Sequence, residues 1–160
     1  MVVRPARPHD LADAGAVTEA AYRAAGLAVG GYVDALRDAG RRADEAELLV
    51  AVDAGGAVVG SVTFCPAGSR WRELARDDEA ELRMLAVRPD AQRLGVGRAL
   101  TAACVDRARE LGFGALVLST PSVAPAAHRL YEGIGFTRDP TRDWSPVPGV
   151  ELLGYVLLLD

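Results

Sequence analysis

Six residues from Gln92 to Gly97 (Gln-Arg-Leu-Gly-Val-Gly) place two glycines two positions apart, between a β-rich run and an amphipathic helical pattern. Residues without Cβ let backbone N–H groups converge on one small concavity and approach an anion closely. The helix N-terminus beyond them adds a partial positive charge worth ~0.3–1 kcal/mol for each anionic group it meets. Arg93 and Arg98 supply mobile positive charge beside it. Types and order together describe a cradle for phosphate or pyrophosphate. The chain has no lysine, since all eighteen basic residues are arginine. Schiff-base chemistry, a pyridoxal phosphate anchor and a phosphate loop whose lysine reaches the β- and γ-phosphates are therefore excluded. Cys65 and Cys104 stand far apart with no His beside them, so they read as two buried reduced thiols and no metal site is expected.

Two kinds of cradle compete for the glycine turn. A dinucleotide fold wants Gly-x-Gly-x-x-Gly/Ala directly after the first strand, but Leu100 stands at the third position and four β-rich runs come first. Where an acidic residue should end the next strand, Ser119 and Thr120 stand instead. The other pattern, Gln/Arg-x-x-Gly-x-Gly/Ala, is met in full. That segment resembles the acetyl-CoA loop of the GNAT N-acetyltransferase superfamily. Ala127 to Phe136 (Ala-His-Arg-Leu-Tyr-Glu-Gly-Ile-Gly-Phe) resembles the family's second signature, Ala-x-x-Leu-Tyr-x-x-x-Gly-Phe, and Glu81 to Val87 is similar to its fourth strand.

The resemblance covers nearly the whole chain and implies acetyl-CoA as cosubstrate. It implies that backbone from Met84 through Leu85, Ala86 and Val87 pairs with the pantetheine arm like an added strand. Gln92 opens the loop, and Arg93, Leu94, Gly95, Val96, Gly97, Arg98 and Ala99 surround the pyrophosphate. Tyr131 is then the group that protonates the departing thiolate, and Glu81 the general base, acting through water. One position departs from the family: many members carry Asn where this chain has Ala124. Blander readings stand beside these roles. Tyr131 shares an inner helix face with Ala127 and Leu130 and suits a packed core, and Glu81 shares a strand face with Arg83 and suits a surface ion pair.

The elements that must position these groups follow from periodicity. Val2 to Arg4 is a short strand, and Asp10 stands where an N-cap belongs before a helix to about Ala25. Tyr32 to Arg42 suggests a second, short helix. Glu47 to Val52 and Ala57 to Phe64 form a hairpin about Asp53-Ala54-Gly55-Gly56. Pro66 to Glu79 is a loop with one helical turn near Trp71 to Ala75, and Glu81 to Val87 is a fourth strand stopped by Arg88-Pro89. A helix from Gly95 to Leu111, a buried strand from Ala115 to Ser119 and a helix from Pro125 to Gly133 then imply a βαβ unit. Phe136 to Asp143 and Val150 to Leu159 complete the strands. The expected fold is α/β: a GNAT-like mixed, mostly antiparallel sheet of about 6–7 strands, with a parallel βαβ unit and helices on both faces.

Length and charge bound the rest. One hundred and sixty residues suit one domain, 1–160, which buries enough surface to need no staple. A net charge of −4 and a pI near 5.2 give no basic field for nucleic acid or an anionic membrane. No apolar run approaches the ~18 residues of a membrane span, so a cytoplasmic enzyme or binding domain is expected. The expected reaction is direct acetyl transfer, in a ternary complex, to a primary amine of a small molecule. A protein N-terminus or lysine as acceptor, or a non-catalytic acyl-CoA-binding sensor, remain as alternatives. Specificity is expected from Gly26 to Glu45, Ser69 to Asp78 and Asp139 to Gly149. The C-terminal run is apolar on both faces, with Leu153, Tyr155 and Leu157 on one and Leu152, Val156 and Leu158 on the other, so a homodimer near this strand is expected.

Overall fold

Leu48, Val50 and Val52 alternate with Leu49 and Ala51, and all five are buried. A strand apolar on both faces has to be covered from both sides. The computed structural model, which describes residues 1–160, shows how this is done. Eight strands form one sheet: β1 (Val2–Pro5), β2 (Glu47–Val52), β3 (Val58–Cys65), β4 (Glu79–Val87), β5 (Ala115–Pro121), β6 (Thr137–Arg138), β7 (Trp144–Val147) and β8 (Val150–Leu158). Their order is β1-β2-β3-β4-β5-β8-β6, with β7 also paired to β8. Only β4 and β5 run parallel, joined by a helical crossover; every other pair is antiparallel.

Five helices clothe the sheet: α1 (Leu11–Ala24), α2 (Tyr32–Arg37), α3 (Ala39–Glu45), α4 (Val96–Glu110) and α5 (Pro125–Ile134). Val96, Leu100, Cys104 and Ala108 recur every four residues, so α4 lays one stripe on Leu49, Val62, Phe64 and Leu82. On the opposite face, Ala14 and Val17 of α1 and Ala39 of α3 cover Leu48, Val50 and Val52. Gly60 sets how deeply α4 sits, because a Cβ there would lie 2.7 Å from Val96 Cγ1 and 2.9 Å from Leu100 Cδ1. No helix is long and apolar enough to cross a membrane.

The structure corrects several boundaries. The helix expected over Tyr32 to Arg42 is two helices. At Asp38 the backbone leaves the helical region (φ −81, ψ 66), and its carboxylate accepts from the Arg41 N–H at 3.0 Å to cap α3. Arg42 then packs fully buried, donating to the carbonyls of Ala35 and Leu36 at the end of α2. Asp10 stands at the N-cap of α1 as expected, but its side chain does not cap that helix; its carboxylate takes the Arg7 N–H and the Arg4 guanidinium. Near Trp71 to Ala75 no helical turn forms, because Glu81 satisfies that backbone instead. β4 begins at Glu79, not Glu81. The strand expected over Phe136 to Asp143 shrinks to Thr137–Arg138, since Pro140 cannot donate to a ladder and starts a 3-10 turn. Together with β7, this two-residue strand gives eight strands where about six or seven were expected.

One irregularity positions the site. β4 pairs with β5 at Glu79↔Ala115, Ala80↔Leu116 and Glu81↔Val117, and there the pairing stops. β5 continues against β8 as far as Pro121↔Leu152, while β4 stays with β3 to Val87↔Gly60. The β3–β4 register slips between Ser61 and Thr63, opposite Met84, whose φ is +53. Such a bulge bends its strand. From Leu82 onward β4 therefore has a partner on one side only, and a wedge opens between it and β5.

Candidate active site

At the C-terminal end of this half-paired strand the chain turns sharply into α4. Arg93 (φ +64) and Gly95 (φ +82) both adopt left-handed backbone, which lets the turn close within a few residues. From Gln92 to Arg98 no backbone N–H finds an acceptor in the protein. These are seven successive free donors, the last three of them the unpaired first turn of α4. Ala99 does not join them, because its N–H donates to the Gly95 carbonyl at 3.0 Å; this corrects its expected place among the phosphate donors. Arg93 and Arg98 are exposed and take part in no ion pair within the protein. The two glycines differ in purpose. Gly95 supplies the left-handed turn, whereas the missing Cβ of Gly97 faces Leu130 Cδ2 at 3.3 Å and Val87 Cγ2 at 3.7 Å. Gly97 thus lets α4 approach α5 and β4.

Tyr131 lies on the inner side of α5, 5% exposed, edge-on to Phe136 (centroids 5.7 Å apart) and tilted against Tyr155 at 6.3 Å. No protein group hydrogen-bonds its hydroxyl. Burial pushes its pKa well above the ordinary tyrosine value, with the Cys104 sulfur adding to the effect. The phenol is therefore fully protonated at any physiological pH, a proton donor held without a competing acceptor. Next to it on α5, His128 does not extend freely into solvent: its Nε2 lies 2.9 Å from the Pro121 carbonyl and its ring stacks on Tyr155. Ala124 precedes α5 without a side-chain cap.

On the other face of β4, acidic and basic groups interlock. Glu81 is 2% exposed, and its carboxylate accepts from the N–H groups of Glu73, Leu74 and Ala75 at 2.7–3.1 Å. Arg83 does not pair with Glu81. Its guanidinium meets Glu73 at 2.5 Å and donates to the Trp71 carbonyl at 3.0 Å. Glu79 receives both terminal nitrogens of Arg142, at 2.8 and 2.7 Å. The loop from Pro66 to Asp78 and the turn Pro140–Arg142 are thereby tied to one another and to β4. Both cysteines are buried and free. Burial pushes the Cys65 thiol up to about 12 and raises Cys104 as well, so neither is an activated nucleophile.

A half-paired strand leading to free N–H groups at a helix start suits a long, thin ligand ending in phosphates. Comparison with known proteins shows which such fold this is. The family model described as "Acetyltransferase (GNAT) family" matches residues 18–136. The chain belongs to the GNAT acetyltransferase family. It is 38% identical over 95 residues to the mycothiol acetyltransferase of Pseudarthrobacter chlorophenolicus, covering 59% of this chain and 28% of that protein. The matched part spans about a quarter to a third of the curated relatives of this kind. Among solved structures, a ribosomal-protein-alanine N-acetyltransferase from Brucella melitensis superposes with a TM-score of 0.75 at 25% identity, over 99% of this chain and 100% of that one. A GNAT family acetyltransferase from the same organism, in complex with acetyl-CoA, gives 0.65 at 26% identity over 99% and 88%.

Within this GNAT frame, the expected cofactor residues Leu85, Ala86, Val87 and Gln92 to Arg98 form one continuous line along the wedge and onto α4. Tyr131 stands on α5 next to Leu130, which packs beside Gly97, and Glu81 stands at the point where β4 and β5 part. Sequence reasoning missed Glu73, Arg83 as its partner, and Arg142. Glu73 and Arg142 carry no sequence signal beyond their position in loops expected to govern specificity, and Arg83 none beyond its place on the fourth strand.

Proposed function

We propose that this chain is a cytoplasmic, acetyl-CoA-dependent N-acetyltransferase that moves acetyl directly to the primary amine of a small molecule in a ternary complex. The observation that carries this reading is the run of seven unpartnered N–H groups from Gln92 to Arg98 at the end of a strand with one open side. Bound there, acetyl-CoA would supply a thioester. Open-side backbone from Met84 to Val87 would hold the pantetheine arm as an added strand, and the N–H run with Arg93 and Arg98 would hold the pyrophosphate. Tyr131 would give its proton to the departing sulfur. A thiolate forming in a buried site has its own pKa raised, which makes transfer from a high-pKa phenol feasible. Direct transfer is supported by the two inert thiols.

A small acceptor is favoured by the tied loops over the acceptor face, where Glu79, Glu81 and Arg142 hold Leu74 and its neighbours against β4. A protein N-terminus is the second reading, motivated by likeness to the ribosomal-protein-alanine enzyme. A homodimer through β8 completes the proposal, because Leu158 is 78% exposed beside Val156 and Leu152. The test is thiol release from acetyl-CoA across small amines, amino acids and peptides, run beside a CoA thermal shift. Release with small amines at high kcat/KM is expected. Preference for peptides would favour the second reading, and CoA stabilisation without release would reduce the chain to a sensor.

A further inference from the structure

Resting on the acetyltransferase reading above, we propose that Glu73 is the carboxylate that takes the acceptor's proton, and that Glu81 is a positioning residue acting through it. Three glutamates gather on one face of β4, Glu79 and Glu81 from the strand itself and Glu73 from the loop tied over it, and their surroundings differ. Glu79 has both oxygens committed to Arg142. Glu81 has both oxygens committed to backbone N–H groups, one of its oxygens taking three of them. Both Glu81 oxygens are thus occupied by the backbone in a buried place and turned away from any acceptor. Glu73 differs from both. One of its oxygens meets Arg83, the other has no hydrogen bond within the protein, and the side chain is 32% exposed.

Its placement follows from its neighbours. Glu81 grips the Glu73 N–H with both oxygens, at 2.9 and 3.1 Å, so the backbone beneath the carboxylate is fixed. Arg83 holds the head group from β4, one residue before Met84, where the strand bulges at the mouth of the wedge. The charged and titratable groups facing Glu73 are Arg83 and Glu81 of β4, Tyr32 of α2 and Cys65 of β3. Burial raises the Glu73 carboxyl above its ordinary value; Arg83 opposes this and Glu81 adds to it. A base shifted toward neutrality is better matched to an ammonium.

In the reaction Glu73 accepts one proton from the acceptor ammonium and passes it to solvent through its exposed edge. The freed amine attacks the acetyl carbon, so an N–C bond forms and the C–S bond breaks. The sulfur leaves with the bonding pair and takes a proton from Tyr131, and the surplus proton on nitrogen restores the phenol. One proton is released to solvent for each amide made, and the charges balance.

The test is the pH profile of kcat/KM with a small amine for wild type, Glu73→Gln, Glu73→Asp, Arg83→Met and Glu81→Gln, each checked for CoA-induced stabilisation. For Glu73→Gln the expected result is a loss of about 100-fold or more near neutral pH, shrinking at high pH where the amine deprotonates unaided, with partial recovery in Glu73→Asp. Removing the cation in Arg83→Met should move the acidic limb to higher pH, a shift that a purely structural role would not produce. Glu81→Gln should lower kcat yet leave an acidic limb. Glu73→Gln with an unaltered profile, or an acidic limb that disappears in Glu81→Gln instead, overturns the proposal. Wild-type protein that binds CoA but acetylates no amine overturns the acetyltransferase reading, and that outcome is seen before any variant is made.

Discussion

Arg142 reaches across the sheet face to Glu79, its two terminal nitrogens donating to the two carboxylate oxygens at 2.8 and 2.7 Å. It also meets Asp139 at 2.9 Å and the Leu74 carbonyl at 3.3 Å. Burial pulls the Glu79 carboxyl upward, but Arg142 and the Arg76 N–H outweigh it and hold it below the usual range. Removing one partner of such a pair leaves the other charge buried and alone, which typically costs about 3–5 kcal/mol. Arg142→Ala should lower stability by about 3 kcal/mol in urea titrations and raise KM for the amine more than for acetyl-CoA. A double variant with Glu79→Ala should lose much less than the sum of the two single changes.

Ligand stabilisation tests the cradle. CoA and acetyl-CoA should raise the melting temperature, equivalent to about 2.7 kcal/mol at 100 times Kd, whereas NAD, NADP and ATP should not. Gly95→Val should abolish the shift, because a β-branched residue at φ +82 is strained and the N–H groups would turn away. Gly97→Ala is the informative contrast. Its Cβ meets the flexible end of Leu130, so cofactor binding should survive.

Tyr131→Phe removes a hydroxyl that no protein group holds, so fold and CoA affinity should be unchanged. kcat should fall by at least ~10-fold, within the range a general acid supplies. Steady-state kinetics beside CoA titration separate the two effects, and an unchanged kcat would leave Tyr131 a core residue.

Acid stability should report on Asp10. The Arg4 guanidinium, at 2.6 and 3.2 Å, holds its carboxyl down to about 2 against the opposing effect of burial. The folded value lies below the unfolded one of ~3.9, so the pair stabilises the protein above that pH. That contribution is lost as pH falls through about 2. Asp10→Asn should be less stable at pH 7 and should lose less between pH 4 and 2, as measured by urea midpoints.

For assembly, sedimentation at micromolar concentration should show a dimer of about twice the 16.8 kDa chain mass. Leu158→Glu should return it to a monomer without unfolding it, because Leu158 lies largely in solvent within the single chain. Leu157 would be a poor choice for this test, since it packs against the main core. A wild-type monomer would overturn the dimer.

Local signals were the legible ones. The cradle from Gln92 to Gly97 and the stripe of α4 are written in neighbouring residues, so spacing alone located them. The neighbours of Gly97 point to phosphate approach, whereas its packing against Leu130 depends on how α5 docks, which no local pattern encodes. The same limit hid the glutamate partners. Arg142 and Glu79 are 63 residues apart, and the segment from Pro66 to Asp78 has no periodicity to betray its path. The break at Asp38 is not legible locally, because Val33 and Leu36 continue a helical pattern right up to it, while the capping carboxylate acts only on the following turn.

The wedge has a consequence for solubility. An unpaired strand side at the rim of a sheet invites other chains to add to it, the usual origin of edge-to-edge aggregation. Here the unpaired side of β4 lies in the middle of the sheet instead, with β5 and β8 beyond it and Leu85 and Val87 packed into the core beside Leu130. A folded neighbour's strand has no approach to it, while a narrow flexible chain does. Among Leu82 to Val87, the N–H groups that face the gap and not β3 should therefore exchange fast for a strand so central, and should slow when such a chain fills the gap.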